Sequence, residues 1–142
     1  MLVVCPHCQK TNRLPSDKPA DQALCGSCGQ VLLTGTPIEL DFAQLQKHIS
    51  RNEMPVLVDF WAPWCAPCRM MAPAFAEAAA QLSPHVRLAK VDTEAHQQAG
   101  AMFGIRSIPT MVLFVGGQEK ARVSGAMNTS QIKAWVNQAL AS

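Results

Sequence analysis

The chain has 142 residues, 49% apolar and 15% charged, with a net charge of +2. That suffices for one packed domain and a small appendage, and it argues against disorder. The small charge offers no basic footprint for nucleic acid, and no apolar run reaches the length that spans a bilayer. The first residues, Met1-Leu2-Val3-Val4-Cys5, lack the basic and apolar regions of an export signal, so a cytoplasmic protein with no membrane association is expected.

Six cysteines fall into three C-x-x-C pairs. In a reducing compartment such pairs more often bind metal or do chemistry than act as staples. Cys5-Pro6-His7-Cys8 and Cys25-Gly26-Ser27-Cys28 flank sixteen residues, Gln9 to Leu24. This is the spacing of a four-cysteine zinc ribbon, in which two tight turns each present two sulfurs to one tetrahedral ion. Disulfides or free thiols are the alternative. Four thiolates close the coordination sphere, so Cys5, Cys8, Cys25 and Cys28 are expected to hold one structural zinc ion. Gly26 and Gly29 are expected to supply positive φ in the turns, and His7 to be a solvated spacer. The segment from Thr11 to Ala23 carries Pro15 and Pro19 and few apolar residues, so its folding should depend on metal. With only Lys10, Arg13 and Lys18 as basic residues and no aromatics, the ribbon is not expected to bind nucleic acid. Thr34-Gly35-Thr36-Pro37 reads as a boundary, placing a ribbon over 1–33 and a second domain over 34–142.

In the second domain Ile38-Glu39-Leu40 reads as a short strand. Asp41 with Gln44 reads as the start of a helix bearing Phe42, Leu45 and Ile49, with His48 and Arg51 as solvated residues near its end. Pro55 opens a near-continuous apolar run, Val56 to Phe60, which predicts a central strand covered on both faces. A helix follows from about Cys65 to Leu82, interrupted by Pro73, where a kink is expected. Val86 to Val91 predicts a strand, and Thr93 to Phe103 a short helix ending near Gly104. Thr110 to Val115 and Gln118 to Ser124, joined by Gly116-Gly117, predict a hairpin. Asn128 or Thr129 then caps a final helix with Ile132, Trp135, Val136, Ala139 and Leu140 on one face. The order β-α-β-α-β-α-β-β-α implies an α/β fold with a mixed central sheet flanked by helices.

The third pair, Cys65-Ala66-Pro67-Cys68, stands where the central strand hands over to a helix. A helix start offers free N–H groups and partial positive charge, which stabilise a thiolate. A dithiol/disulfide centre is the reading; a metal site here would need two further ligands. Asp59, in the apolar strand, is either bonded to backbone or a buried carboxyl with a raised pKa that takes a proton. Trp61 is either core or a shield over the site.

Trp61-Ala62-Pro63-Trp64-Cys65-Ala66-Pro67-Cys68, Asp59 two residues earlier, and Ile108-Pro109-Thr110 opening a strand resemble the thioredoxin family over about Ile38 to Leu140. With the N-terminal pairs, the whole chain is similar to the bacterial zinc-containing thioredoxin 2 (thioredoxin C) branch. The resemblance implies a thioredoxin fold and protein-disulfide reduction, with Cys65 as attacking nucleophile, Cys68 as resolving thiol and Asp59 as proton acceptor through water. It places Lys90 near Asp59 and makes Ile108-Pro109 a cis bond. It makes Trp64, Ala66, Pro67, Ile108, Gly125 and Ala126 a surface for disulfide-containing protein substrates. An NADPH-dependent thioredoxin reductase would be the electron donor, with no organic cofactor. One departure is Ala66, where the family usually has glycine. The competing reading is a redox-sensing or docking module that responds through oxidative zinc release from the ribbon.

Overall fold

The computed structural model describes every residue from Met1 to Ser142. The ribbon contributes a two-stranded antiparallel sheet, β1 (Leu2–Val4) and β2 (Thr11–Arg13), and a single 3-10 turn at Ala20–Gln22. The remaining elements are β3 (Ile38–Glu39), α1 (Phe42–Arg51), β4 (Val56–Trp61), α2 (Ala66–Leu82), β5 (Arg87–Asp92), α3 (Gln97–Met102), β6 (Thr110–Val115), β7 (Gln118–Ser124) and α4 (Thr129–Ala141).

The five-stranded sheet has the order β3-β5-β4-β6-β7. β3, β5 and β4 run parallel, while β6 and β7 are antiparallel to their neighbours. β4 is thus central, which explains its continuous apolar character: Val56, Leu57, Val58, Asp59 and Phe60 are all buried. Alternation splits these residues between two cores. Leu57 packs with Met71, Phe75, Ile132 and Val136 under α2 and α4. Val58 and Phe60 pack with Leu45, Ile49 and Ala99 under α1 and α3.

Asp41 caps α1 as expected, and of the two candidate caps for the last helix Asn128 is the one used. Asp41 and Asn128 each form a reciprocal capping box, with Gln44 and Gln131 respectively. Gly116 and Gly117 take φ of +61° and +82°, the pair of positive values that a tight hairpin turn demands. Pro73 lies inside α2 without ending it.

Three expectations are corrected. His48 is not solvated but fully buried, because the ribbon lies against α1; its ring meets Gln9 Oε1 at 3.1 Å and Asn52 Nδ2 at 2.9 Å. Only Gly29 of the two ribbon glycines has positive φ; the other turn uses Gln9, at +67°. α3 is shorter than expected, because Asp92 Oδ1 accepts the N–H groups of Glu94 and Ala95 at 2.9 and 3.2 Å, holding that segment in a turn.

The ribbon builds a small core of Val3, Leu14, Leu32 and Leu33, completed by Met54 from the second domain. It sits where β4 and β5 begin: Arg87, the first residue of β5 and partner of Val56, donates to the carbonyls of Val4 and Leu32 at 3.0 and 2.7 Å.

Candidate functional site

β4 delivers the third cysteine pair. Beyond Trp61 the chain turns, with Cys65 N–H donating to Ala62 O at 3.1 Å and the Arg69 guanidinium holding the Pro63 carbonyl at 2.9 Å. Cys65 is the N-cap of α2, and its Sγ accepts the Cys68 N–H at 3.2 Å. A free N–H of the first helical turn therefore points at this sulfur, which favours negative charge on it. Pro67 lies in the first turn, where its missing N–H costs nothing. Cys65 and Cys68 are joined as a disulfide, with Cα atoms 5.2 Å apart. Both residues are buried, at 4% and 2% exposure, so they differ little in access in this oxidised form.

The surroundings bring together the other residues singled out from sequence. The Ile108–Pro109 bond is cis, and Ile108 O lies 3.8 Å from Cys65 Sγ. Gly125, at φ +102°, donates its N–H to Pro109 O at 2.9 Å, which carries Gly125 and Ala126 to the same loop cluster. Trp64 is 65% exposed, a large apolar side chain left open beside the disulfide. A shallow cavity of about 210 Å³ runs from Trp64 to Ile105, Ser107 and Ile108. Ala66 and Pro67 are exposed at the start of α2.

Asp59 lies beneath. It shares strand alternation with Leu57, so its carboxyl faces the α2 side of the sheet. It is fully buried, and neither carboxylate oxygen has a hydrogen-bond partner. The reading as a backbone-bonded strand residue is thereby excluded. Burial pushes its pKa up from 3.8 to about 7, opposed by Lys90 and reinforced by Glu39. Lys90 is the direct neighbour of Asp59 across β4 and β5, and Glu39 is the next neighbour across β5 and β3. The three form one row on one face. The Lys90 ammonium also lies 4.6 Å from the centroid of the half-buried Trp61 ring, a cation–π contact. Glu39 is a member of this row that the sequence reading does not single out. Its signal was strand parity: in a β-α-β crossover, charged residues at matched register share a face.

The other four cysteines converge at the far end of the sheet. Their sulfurs all lie within 4.8 Å of one another, with Cys5···Cys28 and Cys8···Cys25 at 3.6 Å. Tetrahedral ligands about 2.3 Å from zinc stand about 3.8 Å apart, so the set fits the ion. Cys5 Sγ accepts N–H groups from His7 and Cys8 at 3.4 and 3.5 Å. Cys25 Sγ accepts from Ser27 and Cys28 at 3.4 and 3.5 Å, and from Asn12 Nδ2 at 3.4 Å. The Cys28 N–H, the Asn12 amide and the Ser27 N–H pull Cys25 down to about 6, whereas burial and the neighbouring sulfurs push Cys28 up, so without an ion the coupled sulfurs share their protons unequally. His7 is exposed and outside the sulfur cluster. Trp61 and Arg87 close opposite ends of the paired β4–β5 strands, five residue steps apart, or roughly 17 Å. The ribbon therefore does not line the Cys65/Cys68 cleft.

Comparison with known proteins agrees with both halves. Residues 36–138 match the family profile described as Thioredoxin, and residues 4–30 match that described as Thioredoxin 2, N-terminal, a zinc ribbon. The chain is 47% identical over 140 residues to thioredoxin C-3 of Corynebacterium nephridii, covering 99% of this chain and 96% of that one. It is 37% identical over 101 residues to a thioredoxin of Haemophilus influenzae, covering 71% and 94% respectively. Among solved structures, Malassezia sympodialis thioredoxin superposes with a TM-score of 0.65 at 31% identity, covering 72% of this chain and 90% of that one. Chloroplastic thioredoxin z superposes with a TM-score of 0.69 at 26% identity, covering 75% and 96%. The match spans both the ribbon and the dithiol fold, and the chain belongs to the thioredoxin family of protein-disulfide oxidoreductases, in the branch that carries an N-terminal zinc ribbon.

Proposed function

We propose that this thioredoxin reduces protein disulfides with Cys65 as the attacking thiolate. The observation that carries the reading is the Cys68 N–H aimed at Cys65 Sγ from the start of α2. In the reduced chain, Cys65 thiolate attacks one sulfur of a substrate disulfide. The S–S bond breaks, one substrate thiolate leaves, and a mixed disulfide forms. Cys68 then loses its proton and attacks Cys65 Sγ. The second substrate thiolate leaves, and the Cys65–Cys68 disulfide remains. Asp59, partnerless and balanced near neutrality beneath the motif, accepts the Cys68 proton through water. Lys90 tunes that carboxyl.

Pro109 and Ile108 set the backbone beside Cys65, where an extended substrate segment pairs as an added strand. Trp64, Ala66, Pro67, Ile108, Gly125 and Ala126 give the surface that grips it. The two electrons return from NADPH through a thioredoxin reductase, with no organic cofactor on this chain. The protein works in the cytoplasm. The ribbon, over 1–33, holds one structural zinc ion at Cys5, Cys8, Cys25 and Cys28, outside the exchange reaction, and the thioredoxin domain covers 34–142. Insulin reduction coupled to NADPH and thioredoxin reductase tests the assignment: Cys65→Ser is expected to abolish turnover, and turnover at the parent rate would overturn it.

A further inference from the structure

The two ribbon turns have the same backbone. Cys5 N–H donates to Lys10 O and Gln9 N–H to Cys5 O; Cys25 N–H donates to Gln30 O and Gly29 N–H to Cys25 O. Gln9 and Gly29 are therefore equivalent, and both have positive φ, +67° and +77°. Glycine is the residue for this conformation, and Gln9 is the one non-glycine residue in the chain that adopts it. A side chain kept at such a position asks for a reason.

Its amide supplies one. Gln9 Nε2 donates to Pro6 O at 3.1 Å, which fixes the amide orientation and turns Oε1 to His48 Nε2, also at 3.1 Å. On the other side of the ring, His48 Nδ1 faces two donors, Asn52 Nδ2 at 2.9 Å and Arg87 Nη1 at 3.5 Å. Nδ1 therefore accepts, and the ring proton sits on Nε2, donated to Gln9. Asn52 Oδ1 and Arg87 grip the ribbon backbone, through Val4 N–H at 2.8 Å and the Val4 and Leu32 carbonyls. Arg87 is buried and has no carboxylate partner; the chain's single ion pair is Arg122–Glu119. Four thiolates around a divalent ion leave a net negative cluster, and Cys5 of that cluster acts electrostatically on the buried Arg87 guanidinium.

We infer that Gln9, His48 and Arg87 tie the metal centre to the thioredoxin domain, so that zinc retention depends on the Gln9 side chain held by His48. This rests on the reading that the four cysteines hold zinc. A turn that merely needs positive φ would be improved by glycine; a turn that also needs the amide would be weakened.

The full-length chain is titrated with a chromophoric chelator competing for zinc. The parent is expected to carry one zinc per chain; a parent that carries none overturns the zinc reading itself. Gln9→Gly is expected to hold zinc about tenfold less tightly, from the His48 N–H left buried without an acceptor. Its insulin reduction should stay at the parent rate, which shows the thioredoxin domain folded. Gln9→Asn accepts the same φ but is one carbon short of His48, and the same loss is expected. A zinc-bearing parent with both variants binding as tightly as it does, or more tightly, overturns the coupling.

Discussion

Replacing Asp59 with asparagine removes the one carboxyl that folds away from both water and every hydrogen-bond donor. Burial raises its pKa from 3.8 to about 7, so between those values the folded chain keeps a proton that the unfolded chain releases. The contribution of this carboxyl to stability is therefore greatest below about pH 4 and falls as pH rises towards 7, beyond which its loss is complete. At about 1.4 kcal/mol per pH unit, the full cost of the charged carboxyl is on the order of 4 kcal/mol. Asp59→Asn escapes it. Its stability relative to the parent should climb by up to about that amount from pH 4 to pH 8, whatever constant offset the amide brings. Denaturant unfolding of the two oxidised proteins across this range measures the difference, and ribbon titration cancels because both chains carry the same ribbon. The same variant should slow the resolving step by at least about tenfold, less than a full general-base factor because the transfer runs through water. A stability difference that stays flat with pH would refute the buried-carboxyl argument.

The row Glu39–Lys90–Asp59 makes further demands. Glu39→Gln should move the Asp59 midpoint, followed by carboxyl NMR, to lower pH, and Lys90→Met should move it higher; unchanged midpoints would separate the row electrically. Trp64→Ala should lower kcat/KM for a protein disulfide about tenfold while hardly touching a small soluble disulfide, because the grip proposed for this exposed ring is on the chain around the bond and not on the sulfurs. Equal losses on both substrates would place Trp64 in the chemistry instead.

Much of this architecture is legible because its signals are local. Asp41 with Gln44, Asn128 with Gln131, and Gly116-Gly117 each fix a chain reversal or helix start through groups within a few residues. The cysteine pairs are legible for the same reason. What escaped is where one domain meets the other. A histidine near a helix end has an adequate local explanation as a solvated residue, and this hides the burial of His48. Yet it follows Leu45 by three residues and precedes Ile49 by one, on the buried stripe of α1, and that parity was its signal. Arg87 opens β5 and carried no such mark; its partners, Val4 and Leu32, lie 83 and 55 residues away in sequence. Gln9 could be found only from its φ. Sequence alone allows two readings of Asp59, and the absence of any donor at its carboxylate excludes one.

Ala66, where the family usually has glycine, lies exposed at the first position of α2. Its methyl favours the helical conformation there by roughly 1 kcal/mol over glycine, which keeps the helix start and its N–H groups in place. That leaves the unequal roles of the two thiols as the core of the account. Trapping tests them directly: reduced Cys68→Ser is mixed with a disulfide-bonded protein and analysed by mass spectrometry without reductant. The account predicts an accumulated mixed disulfide through Cys65 that forms at the parent rate and does not resolve, and none with Cys65→Ser. A mixed disulfide through Cys68, or rapid release from the Cys68→Ser variant, would contradict it.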